Sequence, residues 1–173
     1  MRVWLRIPLA AVATLVLVAV GASVTRQLAG GAISVALAVP LLVWLGLETG
    51  VMEGAIGAAV VGILLDGAAG GPWGLVTFLS VVVFLGVRVA ASPFDARSTL
   101  GFTILSALAT FAMGFGAVLL LRYVAPEGAA PGWGLLGRVL VEALLTGLAA
   151  PPIRWVLDRL LVTAQREPAG VLR

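Results

Sequence analysis

Cysteine, histidine and lysine are all missing from this 173-residue chain. Without cysteine there is no disulfide, no thiolate nucleophile and no cysteine-bound metal. Without histidine the usual general base and the commonest metal ligand are gone, and a serine–histidine dyad of the rhomboid kind is excluded. Without lysine there is neither Schiff-base catalysis nor a P-loop. Charge is scarce as well: 11% of the residues are charged, whereas a soluble domain runs near about a quarter. So little charge cannot cover a water-soluble globule.

What fills the chain instead is apolar: 61% of the residues are hydrophobic and the mean hydropathy is +1.16. Several runs exceed the roughly 18 residues that mark a bilayer-spanning helix. The sequence therefore predicts an all-α integral membrane protein, a bundle of about six transmembrane helices, with five also fitting. The spans fall at about 7–25, 30–47, 51–66, 73–91, 99–124 and 135–160. They form a single domain over 1–173, closing on a polar cytoplasmic tail at 162–173. The first run, with Arg2 and Arg6 ahead of it, has the outline of a signal peptide but is long for one and reads as the first helix.

Proline and glycine punctuate these runs. Pro40 falls inside the second span, where a kink is expected. Pro72, after Gly70 and Gly71, suits the first position of the fourth span. Pro151 and Pro152 are expected to interrupt or bend the sixth.

All eleven basic residues are arginine, which gives a net charge of +3. In a membrane chain such residues report orientation before they suggest nucleic acid. With the N-terminus inside, Arg2, Arg6, Arg88, Arg97, Arg154, Arg159, Arg166 and Arg173 face the cytoplasm, against Arg26, Arg122 and Arg138 outside. That imbalance predicts an N-in/C-in arrangement. Trp4, Trp44, Trp73, Trp133 and Trp155 all fall near predicted helix ends, where tryptophan favours the interface.

The third span carries the most informative pattern. Gly54, Ala58, Gly62 and Asp66 recur every fourth residue and share one helix face. Small residues there let another helix approach closely. The face is a candidate either for docking a foreign helix or for packing within the chain. Asp66 ends the ladder and is followed by Gly71, Pro72 and Gly74. An acid at membrane depth is a functional candidate. Its structural alternatives are to bond the backbone of the next turn or to pair with Arg26 or Arg138.

Two acid-based chemistries fail on the sequence. A membrane aspartyl protease needs a second aspartate on a facing helix, but Asp95 and Asp158 belong to the opposite side. A lipid-alcohol phosphotransferase needs Ala-Arg after Asp-Gly, and here Ala68-Ala69 follows Gly67. Two ion pairs are also predicted at or near the interface, Arg138 with Glu142 and Glu53 with Arg88. No catalytic, metal or cofactor site is expected.

The segment Gly62-Ile63-Leu64-Leu65-Asp66, with Gly70 to Leu75 after it and Ala149-Ala150-Pro151-Pro152 before Arg154 and Arg159, resembles the rod shape-determining protein MreD family. The resemblance runs over about 33–88 and 146–160. It implies a non-enzymatic, multi-pass subunit of the bacterial inner (plasma) membrane, part of the elongasome that governs cell shape and cell wall biogenesis. Implied partners are an MreC-like bitopic protein, an MreB-like filament protein, and a peptidoglycan polymerase and transpeptidase, all engaged through the scaffold. The alternative is a substrate-binding S component of an energy-coupling-factor vitamin transporter, whose fold is expected to be similar. Thr77, Ser80, Ser106 and Thr110 are the polar residues that would line its pocket.

Overall fold

The computed structural model describes residues 36–69, 72–91, 98–124, 132 and 134–159, together with Val12 and Val16. Apart from those two valines, which are helical, the first predicted span lies outside the described residues, as do the start of the second, Gly71 and the C-terminal tail. Among the described residues five complete helices follow one another: α1 (Val39–Glu48), α2 (Val51–Ala69), α3 (Leu75–Ala90), α4 (Thr99–Val124) and α5 (Leu135–Leu157).

The helix α1 is apolar all round, and every residue from Val39 to Gly46 is buried. A helix of that composition belongs in the centre of a bundle, and α1 packs against all four of the others. Its ten residues rise about 15 Å, half of a hydrocarbon core. Pro40 lies in its first turn, not in a helix interior as predicted. At that position the missing N–H has no intrahelical partner to lose.

Around α1 stand two antiparallel hairpins, α2–α3 and α4–α5, which meet where α3 packs on α4. Each hairpin is close because small residues face its partner helix. In the second, Gly114 lies against Val139, and Gly147 against Ala107 and the Thr103 carbonyl. Among the described residues three helices, α2, α4 and α5, are long and apolar enough to cross a bilayer. Their outer faces carry Met52, Ile63, Leu108, Leu148 and other large apolar side chains. A soluble protein rarely leaves so much apolar surface open. The chain is a multi-pass membrane protein, all-helical and with three candidate spans among the described residues.

Several boundaries differ from the sequence expectation. The helix α2 continues past the expected end at 66 to Ala69, so Asp66 sits within its last turn. The start of α3 moves to Leu75, because Gly74 takes a left-handed N-cap with φ of 90°. Pro72 therefore belongs to the preceding turn, where its carbonyl accepts the Leu75 N–H at 3.3 Å. The helix α5 runs unbroken through Pro151 and Pro152. Proline in a membrane helix is tolerated where neighbours cover the defect, and α4 covers this one at Gly147. Trp44 is only 5% exposed and is a core residue, not an interfacial one. Trp73 and Trp155 are the exposed tryptophans at 84% and 59%, while Trp4 and Trp133 lie outside the described residues.

Candidate functional site

The last turn of α2 and the first turn of α3 form a closed clasp around Asp66. The first turn of a helix leaves backbone N–H groups without intrahelical acceptors, and Gly74, the N-cap of α3, offers no side chain to receive them. Asp66 supplies the acceptor from the other helix. Its Oδ1 accepts the Val76 N–H at 2.9 Å. Its Oδ2 accepts the Gly74 N–H at 3.0 Å, the Thr77 N–H at 3.0 Å and the Thr77 hydroxyl at 2.6 Å. The carboxylate is only 5% exposed and lies at the positive end of the α3 dipole, where an acid is stabilised. Bonds of this charge-assisted kind are about twice as strong as neutral ones. They satisfy the turn itself, the first of the two structural roles weighed for Asp66. Arg138 is not among its partners, and Arg26 lies outside the described residues.

The spacing to Gly62 has a matching cause. A methyl on Gly62 would collide with the Thr77 Cα and crowd the Ser80 side chain. Glycine brings the two backbones close enough for Asp66, one turn on, to reach the α3 amides. Gly74 is needed for a different reason, its positive φ. Gly71 is not described, and Pro72 and Gly74 are exposed in the turn.

The rest of the ladder is likewise turned inward. A methyl on Gly54 would strike the Phe84 ring and the Thr49 hydroxyl, and Ala58 is 0% exposed. Of the two uses left open for Gly54, Ala58 and Gly62, these contacts support packing within the chain over a groove for a foreign helix. The contacts named for Gly54 and Gly62 come from α3 and from the turn before α2, which leaves this face no opening.

At the other end of the α2–α3 hairpin, Arg88 donates from Nη1 to the Thr49 carbonyl at 2.7 Å. This brings it to the turn that leads into α2, within whose first turn Glu53 lies. Arg138 and Glu142 lie one turn apart on α5, the former exposed and the latter half-buried.

A second cluster was not foreseen. The Trp44 indole N–H donates to Asp158 Oδ1 at 2.9 Å, and Arg154 Nε lies 3.6 Å from Asp158 Oδ2. Arg154 also donates to the Ser98 carbonyl at 3.0 Å and stacks over Phe102 at 5.2 Å. Together these residues tie the C-terminal ends of α1 and α5 to the start of α4. The four-residue spacing of Arg154 and Asp158 is a legible sign of a pair, but nothing in the sequence ties it to Trp44.

Of the polar residues considered for a pocket, Thr77 belongs to the clasp and Thr110 donates its hydroxyl to the Ser106 carbonyl at 2.8 Å. The Ser80 and Ser106 hydroxyls are buried without a partner. Among the described residues no group of three acidic side chains could hold a metal ion. The chain matches no family model, no curated protein and no solved structure.

Proposed function

We propose that this chain is a non-enzymatic membrane scaffold of the MreD kind. It would have about six spans with both ends in the cytoplasm, and serve the bacterial cell-elongation complex. Its partners on this reading are an MreC-like bitopic protein, an MreB-like filament and a peptidoglycan polymerase and transpeptidase. The observation that carries the proposal is the occupied state of Asp66. The acid of the motif that resembles the family has both oxygens engaged by the α3 N-terminus, which supports a role in shape over one in chemistry. Partner contact then falls to the outer apolar faces, such as Ile56 and Ile63 of α2 and Phe78 and Val82 of α3, all exposed.

The test is photo-crosslinking in native membranes from probes at Ile56, Ile63 and Val82, with a probe at the buried Ala58 as an internal control. Capture of a bitopic MreC-like protein or a wall synthase from the exposed positions is the expected result. Capture of a transporter's T component or its ATPases would overturn it in favour of the S-component reading. That second reading draws on the unpartnered Ser80 and Ser106 hydroxyls, since buried polar groups without partners are uncommon.

A further inference from the structure

Asp158 and Arg159 adjoin at the end of α5 and turn opposite ways. Asp158 turns toward Trp44 and Arg154, which its two oxygens meet, although its side chain stays 45% exposed. Arg159 is exposed, and its guanidinium lies 4.5 Å over the ring of the exposed Trp155. Among the described residues Arg159 has no carboxylate partner. The acid beside it is engaged by Trp44 and Arg154, so Arg159 gives its side of this helix end a positive charge.

The same face continues down the helix. Leu144, Leu148, Pro152, Trp155 and Arg159 recur at helical spacing, and all are exposed. From Leu144 to Trp155 the stripe rises about 16 Å, the depth of one leaflet of a hydrocarbon core. It is apolar along its length, amphipathic at Trp155 and cationic at its tip. A phospholipid has this order of chemistry from its tail to its phosphate.

We propose that this stripe seats an anionic phospholipid, with its phosphate on Arg159 and an acyl chain along Leu144, Leu148 and Pro152. The planar guanidinium presents paired N–H donors to a phosphate. Stacking on Trp155 fixes it in place, and the indole sits where tryptophan favours the interface. The proposal rests on the chain's spanning a membrane and not on the elongation-complex reading, so either can fail alone.

The test uses the full chain in phosphatidylcholine vesicles doped with brominated phosphatidylglycerol or brominated phosphatidylcholine. Quenching of Trp155 is isolated by subtracting the signal of a Trp155→Phe protein. One arginine near an anionic surface is worth about fivefold in lipid preference. The expected result is therefore about fivefold stronger relative quenching by the glycerol lipid, falling to parity in Arg159→Gln. Equal quenching by the two lipids in the unaltered chain would overturn the proposal. So would a preference that survives Arg159→Gln, or one abolished by millimolar inorganic phosphate, which would assign the site to a soluble anion.

Discussion

The Cα of Thr77 lies against the open side of Gly62, where any side chain would collide with it. The colliding atom is backbone, so the usual escape of a flexible neighbour swinging aside is closed. Gly62→Ala should therefore destabilise the α2–α3 hairpin by about 1–3 kcal/mol, the range for overpacking a tight contact. Unfolding in mixed micelles of increasing SDS content, followed by tryptophan fluorescence, measures this. Expression and partner capture should fall together, because the face is internal. Loss of capture from a fully folded Gly62→Ala protein would show that the ladder meets a partner after all.

Asp66 and Thr77 should be energetically coupled. Their hydroxyl–carboxylate bond of 2.6 Å is half-buried and charge-assisted, and such bonds contribute about 1.5–3 kcal/mol. Thr77→Val removes that bond alone. Asp66→Ala removes it and also leaves the Gly74, Val76 and Thr77 amides without an acceptor, so it should cost more than Thr77→Val. Asp66→Asn should be intermediate or worse, because its NH2 group would face donors. A double-mutant cycle that returns no coupling between Asp66 and Thr77 would remove the clasp as a stabilising unit.

How far this site was legible in the sequence depends on which residues are asked about. The helices α2, α4 and α5 announce themselves as long apolar runs, since lipid leaves the backbone few alternatives to a helix. The four-residue ladder correctly places Gly54, Ala58, Gly62 and Asp66 on one face, but periodicity cannot say which helix fills that face. Asp66 was open to several roles, and only the left-handed turn at Gly74 settles its partner, because that turn aims the α3 amides back at α2. Trp44 misled for the opposite reason. Its place near a helix end resembles an interfacial anchor, yet α1 is short and central, so both its ends lie against other helices. No local pattern encodes a contact between residues 114 positions apart, as Trp44 and Asp158 are.

Trp44→Phe tests that contact. Phenylalanine keeps most of the buried ring and loses the indole N–H, leaving Asp158 one donor short. Because the Asp158 side chain is 45% exposed and water can replace the lost donor, the expected cost is about 0.5–1.5 kcal/mol, read in the same SDS titration. In the unaltered chain, Trp44 should also resist aqueous acrylamide, while Trp155 responds to quenchers placed in the lipid. Rapid acrylamide quenching of Trp44 would place α1 outside the core.

Arg154→Lys should not behave as a conservative change. Arg154 meets Asp158, the Ser98 carbonyl and the Phe102 ring at once. A lysine ammonium is a point charge that cannot reproduce the planar fork and the stacked face together. Stability is expected to fall by about 1–3 kcal/mol, a carbonyl bond plus a partly desolvated cation–π contact. If Arg154→Lys matches the unaltered chain in the titration, the ends of α1, α4 and α5 are held by apolar packing alone.

The two prolines of α5 allow a test in the stabilising direction. Pro152 cannot donate to the Leu148 carbonyl, and proline inside a helix costs about 3 kcal/mol where nothing compensates. Yet α5 continues through it, and Pro152 is on an exposed face. Pro152→Ala restores an N–H without filling any buried space, so SDS resistance should rise, by up to about 3 kcal/mol. Pro151→Ala lies nearer the packed side and should gain less. Were Pro152→Ala to lower stability instead, the proline would have to be setting the course of α5 past Gly147 and Ala107. A bend absorbed there would explain why so close a contact tolerates two missing donors.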